Sequence, residues 1–238
     1  MRATRRRRKG SVAFPTTVGP HRVADRSILG RSLCHRAPGR RGAPKAIRGK
    51  EESMERHPSL ANADDSLVVL IDPQEKLMRA VDRRDEITRN MCLLLRFASI
   101  YGLPVVLTEH YPQGLGTTVE EIREVLPEYR PIVKRIFSCF GVEEFGRELT
   151  AQGRKRLLVV GIETHICVAQ TVLDALHRGF QVQVLSDAVS SRRHGDHATA
   201  LERMAREGAV ITTTEAAMYE VAARADDESF RRLLELVK

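Results

Sequence analysis

Apolar and polar positions fall into regular periods only from residue 66 onward. Residues 66–71, Ser-Leu-Val-Val-Leu-Ile, are nearly all apolar and end at Asp72-Pro73. A short unbroken apolar run predicts a strand buried on both faces, as in a parallel sheet covered by helices. Ile87, Met91, Leu94, Leu95 and Ala98 then recur at three- and four-residue spacing, which predicts a helix over 85–101 that Gly102 stops. Further runs at 104–108, 131–134, 156–161, 182–186 and 209–212 predict strands. Stretches 118–125, 142–151, 167–177 and 196–207 predict helices between them, and 214–223 and 227–237 add two more at the end. The segment 110–116 reads as a loop. Strands alternating with helices predict an α/β fold, a doubly wound and mostly parallel sheet in one domain.

Composition adds a division that periodicity alone only hints at. The formal net charge is +8, but residues 1–53 carry 15 of the 39 basic and 3 of the 31 acidic residues, a net +12 that leaves the remainder at −4. That first segment opens with Arg5-Arg6-Arg7-Arg8-Lys9 and scatters Gly, Pro and Ser without any period, the composition of a chain that cannot bury enough apolar area to order itself. Three readings stay open for it: translated upstream sequence ahead of a start at Met54, a mitochondrial transit peptide, or a basic arm for nucleic acid. Nucleic-acid binding is expected only through this tail. Tryptophan is absent and aromatics make up 5% of the chain, so the domain has little to stack on bases. No apolar run approaches the roughly 20 residues that span a bilayer, so no membrane partner is expected. Cys34, Cys92, Cys139 and Cys167 show no CxxC spacing, which argues against a disulfide framework or a zinc site and for a reducing cytoplasm.

In a doubly wound sheet, ligands sit beyond the carboxyl ends of the strands. Those ends deliver Asp72, Lys134 and the stretch Gly161-Ile-Glu-Thr-His-Ile-Cys167. Cys167 stands where a loop enters a helix, and the partial positive charge of the helix start, with a lysine nearby, is expected to lower the pKa of its thiol. On position alone the alternatives stand: Cys167 as a small buried hydrophobe, Asp72 as a turn residue before Pro73, Lys134 as a surface lysine.

The stretches Leu67-Val-Val-Leu-Ile-Asp72-Pro-Gln-Glu-Lys76, Val133-Lys134, Gly161-Ile-Glu-Thr-His-Ile-Cys167-Val168 and Asp187-Ala-Val-Ser-Ser-Arg192 resemble the isochorismatase-like cysteine hydrolase superfamily. Leu107-Thr-Glu-His-Tyr-Pro-Gln-Gly-Leu-Gly116 is similar to the branch of isochorismatase-domain-containing proteins. The resemblance covers about residues 60–235. It implies a three-layer fold with a six-stranded sheet and helices on both faces, and a catalytic triad of Asp72, Lys134 and Cys167 that cleaves an amide-like C–N bond of a small molecule through a thioester. It implies a cis peptide bond between Ile162 and Glu163, which would aim the N–H groups of Glu163 and Cys167 at one oxyanion. Isochorismatase-type vinyl-ether hydrolysis and a non-catalytic member of the fold are the competing expectations. Self-association is expected from the same resemblance.

Metal-using nicotinamidases carry an Asp-x-His pair and a further His after the second strand. Here the stretch is Glu109-His110-Tyr111-Pro112-Gln113, too few ligands for zinc or manganese, so neither a metal nor another cofactor is expected. His110 and His165 are left as candidate substrate contacts. A chain that starts at Met54 is expected to melt with the same cooperativity and within a few degrees of the full chain, as circular dichroism on both would show.

Overall fold

The structure, a computed structural model, describes residues 55–238. The expectation for residues 1–53 lies outside the described residues. The strands are β1 (Ser66–Ile71), β2 (Val105–His110), β3 (Ile132–Lys134), β4 (Arg156–Ile162), β5 (Gln181–Ser190) and β6 (Val210–Thr212). Among the described residues the α-helices are α1 (Glu75–Met78), α2 (Arg84–Tyr101), α3 (Pro112–Leu115), α4 (Glu120–Arg123), α5 (Glu143–Gln152), α6 (Ala169–His177), α7 (His194–Arg206), α8 (Thr214–Ala222) and α9 (Glu228–Val237). All neighbouring strands pair in parallel, in the order β3-β2-β1-β4-β5-β6.

Every residue of β1 and β4 is buried, because successive side chains point to opposite faces and helices cover both. Val68, Leu70, Leu158 and Val160 pack with Phe97 of α2, Met218 of α8 and Leu233 of α9. Leu67, Val69, Leu157 and Val159 pack on the other side with Phe145 of α5, Val172 of α6 and Met204 of α7. Full burial of each such side chain is worth about 1.5–3 kcal/mol over exposure, which is why these strands read as unbroken apolar runs. The predicted three-layer α/β architecture is the observed one.

Three local features differ from the sequence expectation. The short helix α3 occupies part of the stretch predicted as loop, since a single turn is too brief to show a 3.6 period. Cys167 does not begin an α-helix. It lies in a π-helical turn, Thr164–Val168, that runs on into α6. The strand predicted to end at Ser186 continues to Ser190 through a register shift, with Val159 opposite Val184 but Gly161 opposite Val189. The extra residues carry Asp187, whose Oδ1 accepts from Thr214 N (2.8 Å) and Thr214 Oγ1 (2.9 Å) and so holds the first turn of α8.

At the amino ends of the strands, the buried Arg156 guanidinium donates to Pro58 O (2.7 Å) and Ser59 O (3.0 Å), while Glu220 Oε2 accepts from Ala61 N (2.9 Å). Residues 58–61 are thereby part of the packed domain. At the opposite ends, the strand order reverses between β1 and β4, and this switch point leaves a crevice for a ligand. Gly161 sets how closely these two strands approach. Its φ is +120°, and a Cβ there would stand 2.1 Å from Ile71 O. Gly161→Ala is therefore expected to cost about 3 kcal/mol or more in urea unfolding, or to prevent folding outright, while Gly146→Ala, inside α5 with open space around it, stays folded.

Candidate active site

Asp72 leaves β1 with φ +49°, a left-handed conformation that Asp tolerates better than most side chains, and its side chain is fully buried. Thr108 at the equivalent level of β2 grips it twice: Thr108 O accepts from Asp72 N (3.1 Å), and Thr108 Oγ1 donates to Asp72 Oδ1 (2.7 Å). Lys134 ends β3, on the far side of β2, and its stem crosses that strand. Its Nζ donates to Asp72 Oδ2 (2.6 Å), to Phe137 O (3.0 Å) and toward Cys167 Sγ (3.3 Å). The three residues that the sequence expectation singled out thus meet at one point, and Cys167 is 5% exposed there.

Burial raises the Cys167 thiol pKa, and the Asp72 carboxylate raises it further, against the lowering pull of Lys134. This reverses the expectation that the helix start and the lysine would lower it. The resting thiol keeps its proton and has a carboxylate beside it. For Lys134, burial disfavours the charge, but Asp72 first and the nearby thiols after it prevail, and the ammonium pKa is raised. The arrangement is an ion pair flanking a protonated thiol. It can pass the thiol proton to the carboxylate and leave the thiolate against the ammonium.

The peptide bond between Ile162 and Glu163 is cis. Three successive side chains of the following loop are tied to one segment after β5. Glu163 Oε2 accepts from Arg192 N and Arg192 Nε (both 3.0 Å), Thr164 Oγ1 lies 3.0 Å from His197 Nδ1, and His165 Nδ1 lies 2.9 Å from Ser191 Oγ. On the other flank, Ser138 bonds Asp174 and Cys139 N donates to Thr171 Oγ1 (3.0 Å), so the loop after β3 is tied to α6. Sequence reading did not find Thr108, Cys139, Ser191, Arg192 or His197. The stretch ending in Arg192 was the one signal for two of them.

His110 stands at the mouth. Its ring stacks on Phe137 at 5.5 Å, and its Nδ1 is buried without a hydrogen-bond partner. Burial lowers its pKa and the charge of Lys134 lowers it further, so the imidazole is neutral at pH 7. His165 is engaged by Ser191 and, at 3.9 Å, by Asp196. Phe137, which stacks on His110, and its neighbour Ile136 are apolar and half exposed. Cys92 is only partly buried, with its thiol 3.3 Å from Glu121 O.

Glu109, the acidic residue beside His110, has one carboxylate oxygen fully taken up by the scaffold. Its Oε1 accepts from Thr118 N (2.7 Å), Thr118 Oγ1 (2.8 Å) and Tyr129 OH (2.6 Å). Burial, then the bond to Glu109, pushes the Tyr129 phenol up to about 12. Among the described residues no group of three or more His, Cys, Asp or Glu side chains converges on a metal position. The residues here do not fit the nicotinamidase metal site.

Residues 66–216 match the Isochorismatase domain. The chain belongs to the isochorismatase family. Isochorismatase domain-containing protein 1 of Danio rerio is 35% identical over 173 residues, 73% of this chain but 61% of that protein, so the match spans less than two thirds of that relative. The MAR1 ribonuclease of Caenorhabditis elegans superposes with a TM-score of 0.70 at 36% identity, over 75% of this chain and 92% of that one. YcaC of Escherichia coli, an octameric hydrolase of unknown specificity, gives 0.71 at 26% identity over 76% and 92%. YcaC of Pseudomonas aeruginosa, solved with hexane-2,5-diol and covalent acrylamide, gives 0.70 at 28% over 76% and 93%.

In this isochorismatase-family chain, Asp72 and Lys134 each depend on the other for charge compensation. Lys134→Met is expected to lower the unfolding free energy by roughly 3–5 kcal/mol, because it strands a buried carboxylate. Adding Asp72→Asn to Lys134→Met should recover part of that loss in urea unfolding, as it removes the uncompensated charge.

Proposed function

We propose that this protein is a cysteine hydrolase that cleaves the C–N bond of a small, uncharged amide through a thioester on Cys167. The carrying observation is the ammonium of Lys134, shared at 2.6 Å and 3.3 Å between Asp72 and Cys167 in a buried position. Asp72 takes the thiol proton as the thiolate attacks the carbonyl carbon. The N–H groups of Glu163 and Cys167 hold the oxyanion. Collapse breaks the C–N bond, and the leaving nitrogen takes the proton back from Asp72. Water, deprotonated by Asp72, then attacks the thioester, and the acid leaves as the thiol is restored. Lys134 remains charged throughout and compensates first Asp72, then the thiolate.

Several features support an uncharged substrate. The ammonium at the thiol is already matched by Asp72, His110 is neutral, and Ile136 and Phe137 are apolar. YcaC of Pseudomonas aeruginosa carries covalent acrylamide, and this supports a reactive group that takes small uncharged electrophiles. The octameric state of the Escherichia coli YcaC supports self-association. Free thiols at Cys92, Cys139 and Cys167 suit a reducing compartment such as the cytoplasm. No helix among the described residues is long and apolar enough to cross a membrane.

The test is a screen of small amides and imides, with isochorismate-type vinyl ethers and single-stranded RNA beside them, on wild type and Cys167→Ala. Turnover of an amide that falls more than about 10³-fold in Cys167→Ala and survives exhaustive chelation is expected. Vinyl-ether or RNA cleavage that persists in Cys167→Ala overturns the thioester route, and activity restored only by Zn²⁺ or Mn²⁺ overturns the metal-free one.

A further inference from the structure

The proposed chemistry assigns no task to two buried groups behind Asp72. Thr108 and Cys139 are fully buried, and Cys139 Sγ lies 3.8 Å from Thr108 Oγ1, which lies 2.7 Å from Asp72 Oδ1. An ionised carboxylate has no proton to give, so Thr108 must donate to it. The hydroxyl oxygen is then left as an acceptor, and the Cys139 thiol is the donor that faces it. Burial first, and Asp72 after it, push the Cys139 thiol up to about 11, so it keeps the proton that this role requires. The two carboxylate oxygens are thereby divided: Oδ1 is held by Thr108 and Oδ2 by Lys134.

We propose that Thr108, oriented by Cys139, is a positioning residue that stabilises the anionic form of the Asp72 carboxylate and so sets the proton balance between Asp72 and Cys167. It touches no reacting atom. Its hydroxyl fixes the carboxylate plane across the Lys134 ammonium and makes the anion easier to regenerate each time a proton is passed on. A hydrogen bond to a charged group favours the charged form, and here the donor is fully buried, where water cannot replace it. The assignment rests on the reading of Cys167 as nucleophile.

Alkylation of Cys167 by iodoacetamide reads this balance without a known substrate. The groups that face Asp72 are Lys134 from β3, Cys139 from the loop after β3, His110 from the end of β2 and Cys167 itself. Alkylation needs the thiolate, which the pair supplies when the Cys167 proton passes to the carboxylate beside it. Removing the Thr108 donor takes away one of the two bonds that hold that carboxylate as an acceptor. The acid limb of the rate–pH profile then moves up, and the plateau above it does not fall.

The experiment measures the alkylation rate of Cys167 by mass spectrometry from pH 4 to pH 9 in the folded full chain. Variants are Thr108→Val, Thr108→Ser, Cys139→Ala and His110→Phe, with thermal melts to establish that each is folded. Thr108→Val is expected to shift the acid limb upward by about one unit, the equivalent of a lost bond to a charged group. Thr108→Ser should restore the wild-type limb, and Cys139→Ala should shift it in the same direction by less. A Thr108→Val profile whose limb stays in place while the plateau falls overturns the assignment, since that is what a merely structural role gives. So does a limb that disappears in His110→Phe, which would belong to the histidine. A wild-type Cys167 that resists alkylation while Cys92 reacts overturns the nucleophile reading itself, and this assignment with it. Should Thr108→Val fail to fold, the Cys139→Ala and Thr108→Ser pair decides: no shift in Cys139→Ala, or a shift in Thr108→Ser as large as one unit, overturns it.

Discussion

Two unit charges with no water access stand 2.6 Å apart at the centre of this fold, and much of the carboxyl edge of the sheet is arranged around them. Taking either charge out of water alone would be prohibitive, so the Asp72–Lys134 pair is tolerated only with tight geometry and with its remaining valences filled. The strand order makes that geometry demanding. β1 and β3 are separated by β2, so their ends are about 9–10 Å apart at ordinary strand spacing. A lysine stem bridges that gap, and Thr108 on the intervening strand fills the space beneath it. The left-handed turn at Asp72, the Thr108 grip and the Phe137 carbonyl all serve the placement of one ammonium.

Cys167 reaches the same point from a different element, which has to be held separately. Glu163, Thr164 and His165 each take a partner from the segment spanning the end of β5 and the start of α7, and Ser138 and Cys139 tie the loop after β3 to the helix behind Cys167. Cys167 is thus fixed from both flanks, while the pair it faces is fixed from below. Raising the thiol pKa through burial and a neighbouring carboxylate keeps it protonated until a proton is handed over. The same environment that makes the thiol a poor acid sets a carboxylate within reach of its proton.

Sheet, layers and helix order were legible because unbroken apolar runs and 3.6-residue periods report burial directly. The bulge in β5 was not, since it is decided by what Asp187 holds 27 residues further on. Asp72, Lys134 and Cys167 were legible only through resemblance to a family. By position alone Lys134 reads as a surface lysine, and only the crossing over β2 buries it. Cys139 gave no signal because it looks like an ordinary core residue, and Thr108, though inside the stretch from Leu107 to Gly116, had no role there; the meaning of both lies in cross-strand contacts. The direction of the Cys167 shift was misread for a related reason: a helix start is visible in a sequence, whereas the depth of burial and a carboxylate from another strand are not.

Glu109 shows how a fold can close off a chemical option. An acidic side chain at the end of β2 would, by residue type, serve as a cation ligand, yet its oxygen Oε1 is shared among Thr118 N, Thr118 Oγ1 and Tyr129 OH. Those three bonds anchor the turn before α4 and the approach to β3, the strand that carries Lys134. Grafting histidines beside His110 to build a metal centre would therefore set coordination against scaffold. A ligand bond made by Oε1 would loosen the segment that delivers the lysine, so a metal centre that recruits this oxygen would first need the tyrosine anchor rewired.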